Sequence, residues 1–248
     1  MRQGFLPHRS QPWSKGSTLN HCTMRKTARI INTVFCFMMG LMLASCDEHE
    51  PIDPDIHIGY VLCDDHTAMP LELFKAQRHI NAVGVIFAEA TDDHPAMAVM
   101  LDEIPAIAFS DTLGMKQGTS GDVTAYDGNT NTVALANTID TNTGHGSPLA
   151  DYVFRNHTFG QSDFIPSVAE MRLLSQSRAT VNEVIRELGG DMISSDPTNG
   201  SCWYWTSTEV KENETNQAWL CSAANSGIQP TPKDERHPAR AIVYLYYE

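Results

Sequence analysis

The chain has 248 residues, with 17 Lys/Arg against 30 Asp/Glu and a formal net charge of −13 at pH 7. That length accommodates one large domain or two small ones. So acidic a surface repels phosphate backbones and no basic stripe interrupts it, which excludes nucleic acid as a partner.

From Met24 the chain reads MRKTARIINTVFCFMMGLMLASC. Arg25, Lys26 and Arg29 form a basic head. Ile30–Ala44 is an apolar run too short to span a bilayer comfortably. Its end, Leu43-Ala44-Ser45-Cys46, resembles the lipobox of bacterial lipoproteins. The resemblance implies a signal peptide over 1–45, lipidation of Cys46, and a membrane held through that lipid. Met24 is a better start than Met1, so 1–23 are read as an extension ahead of the signal. Residues 46–55 form an acidic, Pro-broken, solvated tether. Acidic residues directly after the cysteine resemble the surface-export signal of some Gram-negative lipoproteins, so the expected location is the outer membrane, facing outward. Loss of the leader leaves 11 basic against 30 acidic residues, a balance of −19.

Residues 56–248 read as a single domain. Ile56, Ile58, Tyr60 and Leu62 alternate with His57, Gly59 and Val61, which predicts a half-buried strand. The apolar runs 81–90 and 96–101, separated by a polar turn, predict a hairpin, and 106–110 a further short strand. Residues 111–148, rich in Gly, Thr, Asn and Asp, read as a long loop. Asp127-Gly128 is a turn signal there, and TVALANT is the most ordered part. Two helices follow. Ser167 and Glu170 form one capping box, Thr180 and Glu183 a second, and Gly189 a stop. The last third is strand-like at 202–208, 218–223 and 240–247, with polar loops at 209–217 and 225–238. The prolines of the second loop exclude a central strand. The order predicts an α+β fold of mostly antiparallel strands with two helices and long loops.

Several stretches resemble the Lcl C-terminal domain family of bacterial surface proteins. They are AVGVIFAEATDDHPAMAVML (82–101), YDGNTNTVALA (126–136), FIPSVAEMRLL (164–174), YWTSTE (204–209), QAWLCSAANSGI (217–228) and ARAIVYLY (239–246). The resemblance implies a C-type lectin-like fold. In that reading Trp205 and Trp219 are core aromatics on neighbouring strands. Each removes about 150–250 Å² from water on burial. Gln229-Pro230-Thr231 departs from the sugar-binding calcium signatures of lectins, and Trp-Asn-Asp is missing, so no metal is expected.

Cys63, Cys202 and Cys221 remain after Cys46. A bridge is permitted outside the cytosol. Cys202 and Cys221 flank one segment and are the preferred pair, with three separate buried thiols as the alternative. The runs Cys63-Asp64-Asp65-His66 and Asp92-Asp93-His94 hold metal-type donors but read as turns. Gly144-His145-Gly146-Ser147 places a His near a Ser in a flexible setting.

Neither cofactor nor catalysis is expected. Glu209 and the loop residues Lys233, Asp234, Arg236 and His237 are the candidate ligand contacts, because loops on a rigid sheet carry function. The expected function is cell-surface recognition or adhesion toward a glycan or protein. The alternatives are an enzyme of the formylglycine-generating type, which uses a reactive cysteine pair, and a purely structural envelope or fimbrial component.

Overall fold

Two antiparallel sheets and four helices make up the described residues, 55–156, 163–198 and 200–246 of a computed structural model. The leader, Cys46 and the tether up to Pro54 lie outside them. The larger sheet has the order β2-β1-β3-β4-β8, with β1 Val61–Cys63, β2 Ala68–Met69, β3 Ala82–Ala88, β4 Ala96–Ala108 and β8 Arg236–Leu245. The smaller is β5-β6-β7, with β5 Trp203–Glu209, β6 Gln217–Ser222 and β7 Ile228–Pro232. The helices are α1 Leu71–Ala76, α2 Gly128–Ala136, α3 Pro148–Asn156 and α4 Val168–Leu188. Among the described residues no helix is long and apolar enough to cross a membrane. The α+β class therefore holds.

The unbroken apolar runs of β3 and β4 arise because both faces of this sheet are covered. Ile86, Ala98 and Met100 pack on one side with Leu135 of α2, Val153 of α3, Trp205 and Leu220. Val85, Phe87, Met97 and Val99 pack on the other with Met171, Leu174, Val181 and Ile185 of α4.

Four expectations change. The first strand is confined to Val61–Cys63, because Gly59 turns the chain at φ 91°; Ile56 and Tyr60 still pack on the core. The runs expected at 96–101 and 106–110 merge into one long strand, Ala96–Ala108, kinked by register shifts at Val99–Glu103 and Ile104–Ile107. Arg240 repairs the first kink by donating to the Met100 carbonyl at 2.8 Å and the Leu101 carbonyl at 3.3 Å. Trp205 Nε1 repairs the second by donating to the Ile107 carbonyl at 2.9 Å. The supposed loop 111–148 contains α2. Thr132 stitches this helix to the chain before α4, accepting from Ile165 N at 2.9 Å. Gly128 is required there: a Cβ would lie 2.7 Å from the Ile165 carbonyl and 2.8 Å from Ser167 N.

The fourth change joins the two expected helices into α4, 21 residues long. Its start is the expected capping box: Ser167 N donates to Glu170 Oε2 at 2.6 Å, and Glu170 N to Ser167 Oγ at 3.4 Å. Its end is Gly189 at φ 77°. Thr180 and Glu183 lie inside the helix. Residues 177–180 hold neither Gly nor Pro, and Ser177 donates back to the Leu173 carbonyl at 3.1 Å, so nothing interrupts the ladder. The proline-rich segment also yields a strand, β7. It lies at the sheet edge, where Pro230 and Pro232 need no partner on the outer side.

The cysteine pair is corrected as well. Cys63, Cys202 and Cys221 are free, buried thiols. Tyr204 stands opposite Cys221 and Trp203 opposite Ser222, so Cys202 is a diagonal step from Cys221. Diagonal neighbours lie about 7–8 Å apart, beyond the roughly 4.4–6.8 Å Cα span of a disulfide. Trp205 is fully buried, whereas Trp219 is half-buried and not a core residue. Trp205 pairs with Leu220, which sends the neighbouring Trp219 to the opposite face.

Candidate functional site

β5 ends at Glu209, and Lys233 follows the last residue of β7. Both were expected at the surface, yet Lys233 is 0 % and Glu209 1 % exposed, and they form an ion pair. Lys233 Nζ also donates to Gln117 Oε1 at 2.5 Å, to the Glu214 carbonyl at 2.5 Å and to the Met115 carbonyl at 3.2 Å. The ring of Phe109 lies 5.5 Å from Nζ. Burial pulls the Lys233 pKa down, and Glu209 opposes that shift.

Glu209 completes the junction. Its Oε1 accepts the Gln117 N–H at 2.9 Å, and its Oε2 accepts the Thr119 N–H and hydroxyl, each at 3.0 Å. Backbone bonds add to this: Gly114 N to the Thr215 carbonyl at 2.9 Å and Lys233 N to the Asn216 carbonyl at 3.0 Å. Two polar loops, 111–123 and 210–216, are thereby fastened to each other from beneath.

Above this junction the loops enclose a shallow pocket of about 490 Å³ lined by Gly121, Asp122, Val123, Lys211 and Glu214. Hydrogen bonds from Thr124 hold Asp122 below the usual carboxylate range. Backbone N–H groups and Lys116, whose Nζ is 3.1 Å from Glu214 Oε2, do the same for Glu214. Its lining combines two acidic residues, Asp122 and Glu214, with Lys211 and the apolar Val123, residue types that can serve the hydroxyls of a ligand.

The other expected contacts scatter. Asp234 is exposed in the β7–β8 turn. Arg236 donates to the Ala106 carbonyl at 3.2 Å, so part of its guanidinium is used in holding β4. His237 stacks edge-on against Trp205 at 5.3 Å and lies 3.4 Å from Glu235. Gln117, Thr119 and Arg240 were missed entirely. Lys211 and Glu214 lie within a loop that the polar composition marked, but nothing in the spacing singles them out.

The metal-like runs resolve into turns. Asp65 accepts from the Thr67 N–H and hydroxyl at 3.0 and 2.6 Å, and Asp64 accepts from Asn81 Nδ2 at 2.7 Å. Among the described residues no three His, Cys, Asp or Glu side chains gather as a metal site. Asp111 holds His145 Nδ1 at 2.8 Å, but the hydroxyl of Ser147 is turned away, donating to the Phe109 carbonyl at 2.7 Å. Burial pushes the Cys221 thiol up to about 12, which makes it a protonated, poor nucleophile at neutral pH. A cysteine-based oxidation mechanism gains nothing from that environment.

A second buried carboxylate, in the first turn of α4, faces the start of α2. Glu170, 0 % exposed, accepts from Gly128 N at 3.4 Å, from Ser167 N and from the Tyr244 hydroxyl. Burial raises its pKa from the ordinary 4.5 to about 7. The Tyr244 hydroxyl is raised too, first by burial and then by the Glu170 charge. The group is sealed between two main-chain N–H donors and the Tyr244 hydroxyl, so its role is structural.

Neither family models nor curated proteins match this sequence.

Proposed function

We propose that this chain is a lipid-anchored recognition module of the bacterial outer surface, held through Cys46. In this reading residues 56–248 form an Lcl-type, C-type lectin-like domain that binds a glycan or protein ligand without catalysis. One observation carries the reading: the buried Lys233–Glu209 junction fixes two long loops around a pocket lined by Asp122, Lys211 and Glu214. Loops held in advance lose little conformational freedom when a ligand arrives, which is how a small polar site gains affinity. Carboxylates and an ammonium suit hydroxyl donors and acceptors, so a glycan is the first ligand class to test. The α+β architecture and the capped helix agree with the resemblance in the sequence, and the lipobox-like leader supplies the anchor.

A glycan and protein array probed with the lipid-free mature chain tests this. Asp122→Asn combined with Lys211→Glu alters the pocket chemistry. Gly121→Leu fills the pocket, since a Cβ there already lies 3.1 Å from the Lys211 Cβ. Hits should vanish in both variants and persist in Asp234→Ala. Hits that survive both pocket variants would place recognition elsewhere and overturn the assignment.

A further inference from the structure

We propose that Lys233 and Gln117 join through an intramolecular isopeptide bond, with Glu209 carrying the protons. The three side chains are 0 %, 2 % and 1 % exposed respectively, and they bring an amine, a primary carboxamide and a carboxylate together in one sealed space. Lys233 Nζ lies 2.5 Å from Gln117 Oε1. Since a carbonyl bond is about 1.2 Å long, Nζ is at most about 3.7 Å from the amide carbon Cδ, at the edge of the roughly 3–3.5 Å of a near-attack arrangement. The carboxamide is held from its far side, where Nε2 donates to Ser110 Oγ at 2.6 Å. That bond keeps the amide oxygen turned toward the amine. Glu209 pairs with the Lys233 amine and accepts the main-chain N–H of Gln117 at 2.9 Å, which holds the amide-bearing residue beside the pair.

The surroundings favour the reaction. Phe109 lies 5.5 Å from Nζ and packs on Trp205, with ring centroids 5.5 Å apart, forming an apolar wall that keeps out water. Burial lowers the lysine pKa and so promotes the neutral amine that attack requires.

The balance closes without an oxidant or co-reactant. Glu209 takes one proton from the Lys233 ammonium, and the freed lone pair of Nζ attacks Cδ. In the tetrahedral adduct Nζ and Nε2 share Cδ, which brings the leaving nitrogen next to the group that Glu209 pairs with, and Nε2 takes up the proton from Glu209 and a second one from Nζ. The Cδ–Nε2 bond breaks, ammonium leaves, and Glu209 ends as a carboxylate. One C–N bond forms and one breaks. The product fastens loop 111–123 to the β7–β8 turn covalently, across a sequence separation of 116 residues. Such a clasp suits a protein pulled on while tethered by one end.

Tryptic mass mapping of the full chain decides the matter. Trypsin cuts after Lys116, Arg155, Lys211 and Arg236, and cuts after Lys233 only if its amine is free. The expected product joins peptide 117–155 to an uncut 212–236, at their summed mass less one ammonia. Gln117→Ala keeps the ion pair but removes the electrophile, and should restore cleavage after Lys233. Glu209→Gln should do the same. Quantitative cleavage after Lys233 in the unaltered chain would overturn the proposal. So would a linked product lighter by water, which would place the bond on a carboxylate, and so would a persisting link in Gln117→Ala. A link in Glu209→Gln would remove Glu209 from the mechanism.

Discussion

Glu170 ties its own helix start to Gly128 and Tyr244, and its charge state couples those contacts to pH. Three donors favour the carboxylate and burial favours the acid; burial dominates, bringing the group from 4.5 to about 7. The folded state therefore binds this proton more tightly than the unfolded chain. Its contribution to stability is full below about pH 4.5 and is lost as pH rises through about 7. The difference amounts to roughly 3 kcal/mol. Glu170→Gln should lose much of this dependence. Urea unfolding at about pH 5 and about pH 8 measures it. Equal pH dependence in the variant and the unaltered protein would contradict the assignment.

At the scale of the element, α4 behaves as one helix with one start. Ser167 supplies the cap, so Ser167→Ala should cost about 1 kcal/mol. Thr180 is an exposed interior position. Thr180→Ala should be neutral or stabilise by a few tenths of a kcal/mol, because alanine is the better helix former. Two separate helices would give equal losses for both substitutions, and thermal or denaturant unfolding distinguishes the cases. β4 illustrates a complementary rule. A 13-residue strand that bends twice frees carbonyls, and buried Arg240 and Trp205 take them up. Those donors come from positions more than 90 residues away in sequence.

For the molecule as a whole, two buried polar junctions join distant segments across a largely apolar interior. One is Lys233 with Glu209, the other Glu170 with Tyr244. The thiols report on the same interior. Cys63, Cys202 and Cys221 are all buried, and Cys63 and Cys221 are both pushed up by burial. A maleimide should label none of the three in the native protein and all three after unfolding without reductant. Fewer than three labelled sites on unfolding would indicate a bridge that the strand register forbids.

The residue pattern by itself determined what local rules control. The capping box at Ser167 and Glu170, the stop at Gly189, the hairpin of β3 with β4, and the late strands each depend on neighbours within a few positions. Short-range sequence also marked the polar loops around the pocket. Only the tertiary structure decided which charges in those loops are buried. Lys233 and Glu209 read as solvent-facing because a charged residue in a polar stretch usually is. Their partners lie 92 and 116 residues away in the case of Gln117, and 24 residues separate the pair itself. Strand register likewise decided the fate of Cys202, Cys221 and Trp219, because a single step along a strand moves a side chain to the other face.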